Sequence, residues 1–439
     1  MNCHSNSNKA FASRSTMEEL SRSLVNDVEV LNNHLVSTSR PLPSFDRHTP
    51  TVVLPNGASP DAHDARERIL DNALRLFQLA AGPSAYLLNL QTGYHYASCV
   101  RWLCHFRIFH LVPLEGSIAY ADLAVLAKAP QRNLRSVVRM AMTNGLFLES
   151  PPQHVAHSAT SALLRNDADF HDWAVTMSDL SFPTAFAMVE AHERWPNSVE
   201  GNQTAYNIAV DSELPFFNHL AEQANRKRQF AGFMRSMARS QGTDAEKLAE
   251  GWDWAALGQA CVVDVGGSTG HTSVALARKF PDLTFVVEDL PEVVAEGPGY
   301  LSSLDDALDL KSRIGYRAHS FFDPQPVQDA DVYMLRMILH NWSFDDCVRI
   351  LSRLVQTLKP GARIIIVDIV LPDPGVVPAS KERLLRVQDL IMQQVFNSME
   401  RYLENWMDIF KKVDERLEVK RIVEPPGSLM SLIELSMAA

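Results

Sequence analysis

The feature that most constrains the fold is an alternation of apolar runs and helical segments that begins near residue 255. The runs are rich in Val and Ile and lack polar alternation, which is typical of strands buried on both faces of a sheet. They are CVVDV (261–265), TFVVE (284–288), RIGYRAH (313–319), DVYML (331–335) and RIIIVDIV (363–370). Helical segments connect these runs, and such crossovers join parallel strands. The sequence therefore predicts an α/β fold with a Rossmann-like, doubly wound parallel sheet at the C-terminus.

The N-terminal part of the chain has helical periodicity instead. Thr16 and Glu19 have the spacing of a capping box, and leucines and valines recur at helical intervals up to residue 35. A Pro- and Ser-rich stretch at 38–59 indicates a linker, and the Ser59-Pro60 pair predicts a second helix over residues 60–81. We divide the chain into a helix and linker at 1–58, a second domain at 59–205 and a third domain, which contains the predicted sheet, at 206–439.

Residues 93–150 have the pattern of a winged helix, a largely helical module with a short extended wing. Arg132, Arg135 and Arg139 lie on the helix that would read DNA in such a module. However, 41 Lys and Arg residues against 52 Asp and Glu residues give a net charge of −11. This acidity argues against nucleic acid as a partner, and we expect the module to serve packing or dimerisation.

A glycine-rich turn, DVGGSTG at 264–270, follows the first strand of the predicted sheet. Glycines at this edge let a ligand approach the backbone. The dinucleotide fingerprint needs glycine where this chain has Ser268 and His271, which disfavours NAD, and the Lys of a phosphate-binding P-loop is missing. Asp289 ends the second strand, where a carboxylate can accept both hydroxyls of a ribose.

The segments DVGGSTG, VVEDLPEVV, YMLRMILHNW and IVDIVLP together resemble the plant and fungal small-molecule O-methyltransferases, which use S-adenosylmethionine. The resemblance covers roughly residues 60–439. The stretches WPNSVEGNQTAYNIA and FAGFMRSMARS resemble fungal members that methylate phenols derived from polyketides. The family implies a class I methyltransferase sheet, an N-terminal winged helix that forms a homodimer, and no need for a metal.

Methyl transfer to a hydroxyl requires alignment of donor and acceptor and removal of the hydroxyl proton. His340 follows the fourth strand, at the sheet edge where reacting groups meet, and it matches the catalytic histidine of the family. A carboxylate on one ring nitrogen would orient such a base. Glu400 and Asp368 match the flanking acids of the family, although the family commonly has Glu where Asp368 stands.

The resemblance also implies the binding residues. It places the cofactor against Gly266, Gly267, Asp289, Leu290, Ser320, Phe321 and Arg336, and the acceptor against Phe230, Met234, Met337 and Asn397. Within the cofactor set, Asp289 would hold the ribose, Phe321 the adenine and Arg336 the methionine end. Two positions depart from the plant pattern, which has acids where Ser320 and Asn341 stand.

The five cysteines are scattered and form no CxxC pair, so we expect neither a disulfide framework nor a zinc site. The sequence has no run of the roughly 20 apolar residues that a membrane helix needs, and we expect a cytoplasmic protein without membrane partners. Two rivals stay open. One is an NAD-dependent oxidoreductase, and the other is a catalytically silent scaffold that keeps the methyltransferase fold.

Overall fold

The computed structural model describes residues 17–55, 57–240 and 242–438. Helix α1 (Met17–Ser37) packs against the first part of α2 (Pro60–His105), which confirms both predicted N-terminal helices. Ser59 caps α2, with its hydroxyl accepting a hydrogen bond from the amide of Ala62 at 3.3 Å. Gly82, with φ 66° and ψ 168°, interrupts α2 before a second helical run. Thr16, the predicted cap of α1, lies outside the described residues.

The Pro- and Ser-rich stretch between α1 and α2 forms neither a helix nor a strand where it is described. It is nevertheless held to the rest of the protein. Asp46 makes a single β-bridge to Ser158, and the side chain of Leu54 is buried with Leu31 and Leu35. This stretch therefore packs into the N-terminal core.

The winged-helix pattern is also confirmed. Its elements are α3 (Ile108–Leu111), β1 (Ile118–Ala119), α4 (Tyr120–Ala127), α5 (Gln131–Met142), β2 (Leu148–Glu149) and β3 (His154–Ala156). The three short strands form an antiparallel sheet in the order β1-β3-β2, and the rest of the module is helical. Arg139 on α5 pairs with Glu149 of the wing at 2.8 Å, so one of the three arginines on this helix is neutralised within the chain.

A series of helices leads from the winged helix to the large sheet. These are α6 (Ala159–Asn166), α7 (Ala168–Thr176), a π-helical turn (Met177–Ser181), α8 (Phe182–Phe186), α9 (Met188–Arg194), α10 (Ala205–Val210), α11 (Phe216–Ala221) and α12 (Ala224–Ala238). Helix α12 packs along α7, and Gly232 allows this approach, since a Cβ there would lie 2.3 Å from Asp172 Oδ2. Three ion pairs tie the two helices together: Asp167 with Arg239, Asp169 with Arg235, and Asp172 with Arg228.

The C-terminal part is a seven-stranded sheet in the order β11-β12-β8-β7-β4-β5-β6. Its strands are β4 (Ala260–Val265), β5 (Leu283–Asp289), β6 (Ile314–Ala318), β7 (Val332–Arg336), β8 (Arg363–Asp368), β11 (Leu417–Val423) and β12 (Ser431–Met437). A separate pair, β9 (Val370–Leu371) and β10 (Arg401–Tyr402), lies beside it. The five predicted strands, β4 to β8, run parallel. The last two strands were not predicted: β11 has the same direction as these five, and β12 is antiparallel to both β8 and β11. The short connection between β11 and β12 makes them a hairpin, and a hairpin reverses the chain.

Helices cover both faces of this sheet. They are α13 (Ala245–Gly251), a 3₁₀ turn (Trp254–Leu257), α14 (His271–Lys279), α15 (Pro291–Val294), α16 (Gly297–Ser302), α17 (Ala307–Arg313), a 3₁₀ turn (Leu339–Asn341), α18 (Phe344–Val355), α19 (Ala379–Phe396) and α20 (Leu403–Val413). Successive side chains of the strands enter two separate cores, as in Val262 against Val263. This arrangement explains why the strands lack polar alternation.

Within the described ranges, no helix is long and apolar enough to cross a membrane. The same residues contain no group of three or more His, Cys, Asp or Glu side chains that could hold a metal ion.

Candidate active site

The glycine turn after β4 forms a tight backbone cradle. Gly266 has φ 73°, a conformation that favours glycine, and its amide donates to the carbonyl of Glu288 at 2.8 Å. A Cβ at Gly267 would lie 2.6 Å from the carboxyl carbon of Asp264, and one at Gly266 would lie 2.6 Å from Ile338 Cδ1. Any side chain at either position would fill the cradle, so the backbone here is open only because both residues are glycine.

Asp289 lies beside this cradle at the end of β5. Its Oδ2 accepts a hydrogen bond from the amide of Ser268 at 2.9 Å, and its Oδ1 accepts from the amide of the partly exposed Leu290 at 2.7 Å. Burial raises the pKa of Asp289, and these two backbone donors partly offset that rise. Each carboxylate oxygen keeps further acceptor capacity, so the residue can take ribose hydroxyls without losing its fixed orientation.

Phe321 lies on the other side of the cradle. Its Cε1 is 3.7 Å from the position of a Cβ on Gly266, and its ring packs edge-on against Trp342 at 5.6 Å between centroids. The neighbouring Ser320 is half-buried, and its hydroxyl makes only a long 3.4 Å contact with the amide of Phe322. An aromatic face therefore borders the glycine turn, and a small polar side chain precedes it in the sequence.

Arg336 ends β7 next to the same turn. Its guanidinium donates to the carbonyl of Thr243 at 2.5 Å and approaches His271 Nε2 at 3.4 Å. Burial lowers the pKa of His271 to about 3, and the charge of Arg336 adds to this effect, so the ring is neutral and can accept a hydrogen bond. No carboxylate in the described part of the chain forms an ion pair with Arg336, which leaves its positive charge available to an anionic group.

His340 lies in the 3₁₀ turn after β7, with 5% of its surface exposed. Its Nδ1 is 2.8 Å from Glu400 Oε1 and 3.8 Å from Asp368 Oδ1. Both carboxylates are buried. The first distance is a hydrogen bond and the second is too long for one. The structure thus brings the three predicted residues together, with Glu400 as the hydrogen-bonding partner and Asp368 as a nearby charge.

Burial by itself would lower the pKa of His340, but the negative charges of Glu400 and Asp368 outweigh burial and raise the pKa to about 9. Burial raises the pKa of Asp368 to about 7, while the charge of His340 opposes that rise. Within the described part of the chain, neither oxygen of Asp368 has a hydrogen-bond partner, and Glu400 Oε2 has none either. The imidazolium form of His340 is therefore strongly favoured by its surroundings.

Arg401 and Asp389 hold this arrangement in place, and the sequence analysis did not single them out. The buried guanidinium of Arg401 donates to the carbonyls of Leu339 and Trp342 at 2.8 and 2.5 Å, on either side of His340. Asp389 Oδ1 accepts from the amide of Glu400 at 3.0 Å. The only sequence signal for Arg401 was its place directly after Glu400.

Asp264 was also missed as a separate residue, although it begins the DVGGSTG turn. Its carboxylate accepts a hydrogen bond from Ser273 at 2.7 Å, and burial raises its pKa to about 6. Asp264 therefore lies beneath the glycine cradle as a buried acid that couples the turn to α14.

The residues predicted to contact the acceptor differ in their surroundings. Phe230 belongs to a cluster of aromatic rings, 5.1 Å from Phe216 between centroids. Met234, one turn later on α12, is half-buried, and Met337 lies three residues before His340 with φ 55°. The side-chain amide of Asn397 instead donates to two backbone carbonyls of the loop before α10, at 2.8 and 3.1 Å. It holds that loop against the end of α19.

Comparisons with known proteins show which family the chain belongs to. A model of the O-methyltransferase domain matches residues 197–414. The O-methyltransferase aoiF of Aspergillus oryzae is 94% identical over 423 residues, which are 96% of this chain and 100% of that protein. The O-methyltransferase pgmB of Aspergillus terreus is 42% identical over 428 residues, 97% of each chain.

Solved structures show the same fold at lower identity. The mitomycin 7-O-methyltransferase MmcR superposes with a TM-score of 0.68 at 22% identity, covering 80% of this chain and 97% of its own. OxaC superposes with a TM-score of 0.73 at 19% identity, covering 95% of this chain and 100% of its own. On this evidence the chain belongs to the O-methyltransferase family, whose methyl donor is S-adenosylmethionine.

Proposed function

We propose that this enzyme methylates a phenolic hydroxyl of a polyketide-derived secondary metabolite, with His340 as the general base. The observation that carries the proposal is the buried contact of 2.8 Å between His340 Nδ1 and Glu400 Oε1. It fixes one ring nitrogen as the partner of a carboxylate, so Nε2 is the nitrogen left to take a proton. Phe396, at the end of α19, and Phe230, on α12, belong to one aromatic cluster, and such rings suit a flat apolar acceptor.

The cradle and its neighbours have the chemistry needed to hold the cofactor. Gly266 and Gly267 allow close approach to the backbone, Asp289 offers acceptors to a ribose, and Arg336 offers a guanidinium to a carboxylate. Phe321 offers an aromatic face, and Ser320 a hydroxyl. When bound, S-adenosylmethionine supplies an electrophilic methyl group on a sulfonium sulfur.

Proton transfer depends on His340 and on the polar residues around it. His340 accepts the phenolic proton at Nε2, and the resulting imidazolium is stabilised by Glu400 and by the nearby charge of Asp368. Arg401 keeps the turn rigid by binding carbonyls on both sides of the base. Because the ring is almost fully buried, water competes little for the same nitrogen.

Replacement of the base tests the proposal. His340→Ala should lower kcat by roughly 10²–10⁴, the usual contribution of a positioned base, while the affinity for S-adenosylhomocysteine stays nearly the same. The loss should be smaller on an acceptor with an acidic phenol, which reaches the site as phenolate. The measurement compares two acceptors that differ mainly in phenol acidity. Equal losses on both, or a variant within about threefold of wild type, would remove His340 from this role.

We also propose that the enzyme is a homodimer and that the division after residues 58 and 205 separates its domains. The start of the family match at residue 197 supports the second boundary. In α2, no residue from Pro83 to Ser98 is buried in the single chain, and Leu87 and Leu88 are 64% and 66% exposed. A helical segment with exposed leucines and no buried residue needs a partner surface, and a second copy provides one.

Light scattering should therefore report twice the chain mass at micromolar concentration. Leu88→Asp should shift the protein toward the monomer, because a carboxylate would be buried in the interface. Ser303→Asp, on an exposed position outside this segment, serves as a control for added charge. A wild-type monomer at micromolar concentration would contradict the dimer.

A further inference from the structure

Glu288 is a buried acid that the chemistry at His340 does not use. It precedes Asp289 in β5, and 1% of its surface is exposed. Its Oε2 accepts a hydrogen bond from Gln325 Nε2 at 2.9 Å, whereas its Oε1 is buried and has no partner in the described part of the chain. Burial raises the pKa of this carboxyl, and the hydrogen bond from Gln325 opposes that rise. A half-satisfied carboxyl in a largely apolar strand lowers stability, and such a departure is expected where function requires it.

The main chain of Glu288 holds the glycine turn. Its carbonyl accepts hydrogen bonds from the amides of Gly266 at 2.8 Å and Gly267 at 3.0 Å. The next residue, Asp289, accepts one from the amide of Ser268. Three successive amides of the turn are therefore fixed by two successive residues of β5. A hydrogen bond to the side chain of Glu288 is thus a bond to the strand end that holds the cradle.

Gln325 connects Glu288 to the segment 319–331, which joins β6 to β7 and forms neither a helix nor a strand. Gln325 is 3% exposed, and its Oε1 accepts a hydrogen bond from the amide of Val327 at 2.8 Å. The hydroxyl of Tyr333, on β7, donates to the carbonyl of Val327 at 2.7 Å. One end of the Gln325 amide therefore binds its own segment, and the other end binds β5.

Phe321 lies between two links of this segment to β5. The amide of His319 donates to the carbonyl of Asp289 at 2.9 Å, and the side chain of Gln325 donates to that of Glu288. Because the segment lacks regular secondary structure, the position of the Phe321 ring beside the glycine turn depends on such links. The second link is made by side chains alone, so substitutions can remove it without changing the main chain.

We propose that Glu288 and Gln325 are a positioning pair that orders the adenine side of the cofactor site. The pair holds the segment that carries Phe321 against the glycine turn, and neither residue touches the cofactor. The inference rests on the proposed placement of the cofactor, with its adenine against Phe321. A half-satisfied buried carboxyl lowers the stability of the protein, and the resulting benefit is a site that is already ordered when the cofactor arrives.

The test separates cofactor affinity from stability. Isothermal titration of the full chain with S-adenosylhomocysteine measures the first, and denaturant unfolding without cofactor measures the second. The double variant Glu288→Leu with Gln325→Leu removes both polar groups, so neither is left buried without the other. It should bind S-adenosylhomocysteine about tenfold more weakly, the effect of one lost hydrogen bond to a charged group. Its unfolding midpoint should be unchanged or higher, because the buried carboxyl is gone. A merely structural pair would not separate the two measurements in this way.

Two further variants serve as controls. The exchange Glu288→Gln with Gln325→Glu keeps one amide and one carboxylate facing each other, and it should restore affinity to within about threefold of wild type. Gln328→Leu removes an exposed glutamine of the same segment, whose side chain donates to the carbonyl of Gln325 at 3.0 Å. This variant should bind S-adenosylhomocysteine as the wild type does.

Four results would overturn the inference. The double variant could bind S-adenosylhomocysteine as tightly as the wild type, or its affinity and its stability could fall together. The exchange could fail to restore affinity, or Gln328→Leu could weaken binding as much as the double variant does.

Failure of the proposed function has a different signature. A wild type that does not bind S-adenosylhomocysteine would remove the cofactor site together with the pair. Normal binding by the wild type and by the double variant would remove the pair alone. Neither measurement involves an acceptor or His340, so the methylation of phenols is tested separately.

Discussion

Glu400→Gln offers the sharpest test of the electrostatics around His340. The rise of the His340 pKa from 6.5 to about 9 corresponds to a net preference for imidazolium of roughly 3 kcal/mol. With an effective dielectric constant of about 20, a charge at 2.8 Å contributes about 6 kcal/mol and one at 3.8 Å about 4 kcal/mol before desolvation is subtracted. Glu400 is the nearer charge and also makes the hydrogen bond, so it raises the pKa of His340 more than Asp368 does.

Removal of that charge should return the pKa of His340 to 6.5 or below. Since the folded pKa is raised, the imidazolium persists at neutral pH and the free base appears only as the pH rises through about 9. At pH 7, His340 is then neutral in about 1% of the wild-type molecules, whereas it is neutral in most molecules of the Glu400→Gln variant. The variant should therefore reach its maximal rate at lower pH, and that maximum should be lower because the imidazolium formed during transfer has lost its partner.

The assay is NMR of the protein with ¹³C-labelled histidine, without cofactor, in which His340→Ala identifies the signal of His340. Asp368→Asn is the comparison, and it should lower the pKa less because it leaves the hydrogen bond to Glu400 intact. A wild-type His340 that titrates near its ordinary value, or a Glu400→Gln signal that titrates at the same pH as the wild type, would refute the reasoning.

Two further predictions concern the cofactor site and stability. Asp289→Ala should weaken binding of S-adenosylhomocysteine by about 1.5–3 kcal/mol, the range for hydrogen bonds to a charged group; equal affinities by calorimetry in a folded variant would contradict the ribose assignment. Because the pKa of Asp368 is raised to about 7, the wild type should lose stability as the pH rises from about 4 to 7. Asp368→Asn should therefore gain about 4 kcal/mol relative to wild type between those pH values, and parallel denaturation profiles of the two proteins would exclude this.

The sequence predicted what local patterns determine. The Val- and Ile-rich runs became β4 to β8, and the glycine turn lies at their carboxyl edge because that edge is where crossovers from parallel strands leave the sheet. The reversal of β12 was not predicted. Its direction depends on its place between β8 and β11, and tertiary packing determines that place. Which of Glu400 and Asp368 lies within hydrogen-bonding distance of His340 depends on contacts between residues about 30 to 60 positions apart, and so does the support from Arg401. Sequence alone offers no measure of such contacts.

The ion pairs between α7 and α12 have a consequence for protein engineering. One side of α12 is bound to α7 through Arg228, Arg235 and Arg239, while Phe230 on the same helix belongs to the aromatic cluster. Gly232 lies directly against Asp172, so the helix can neither slide nor rotate without a clash. A chimera that exchanges only the catalytic half between two relatives would therefore pair α12 with a foreign α7. Transfer of acceptor preference requires both helices to be exchanged as one unit.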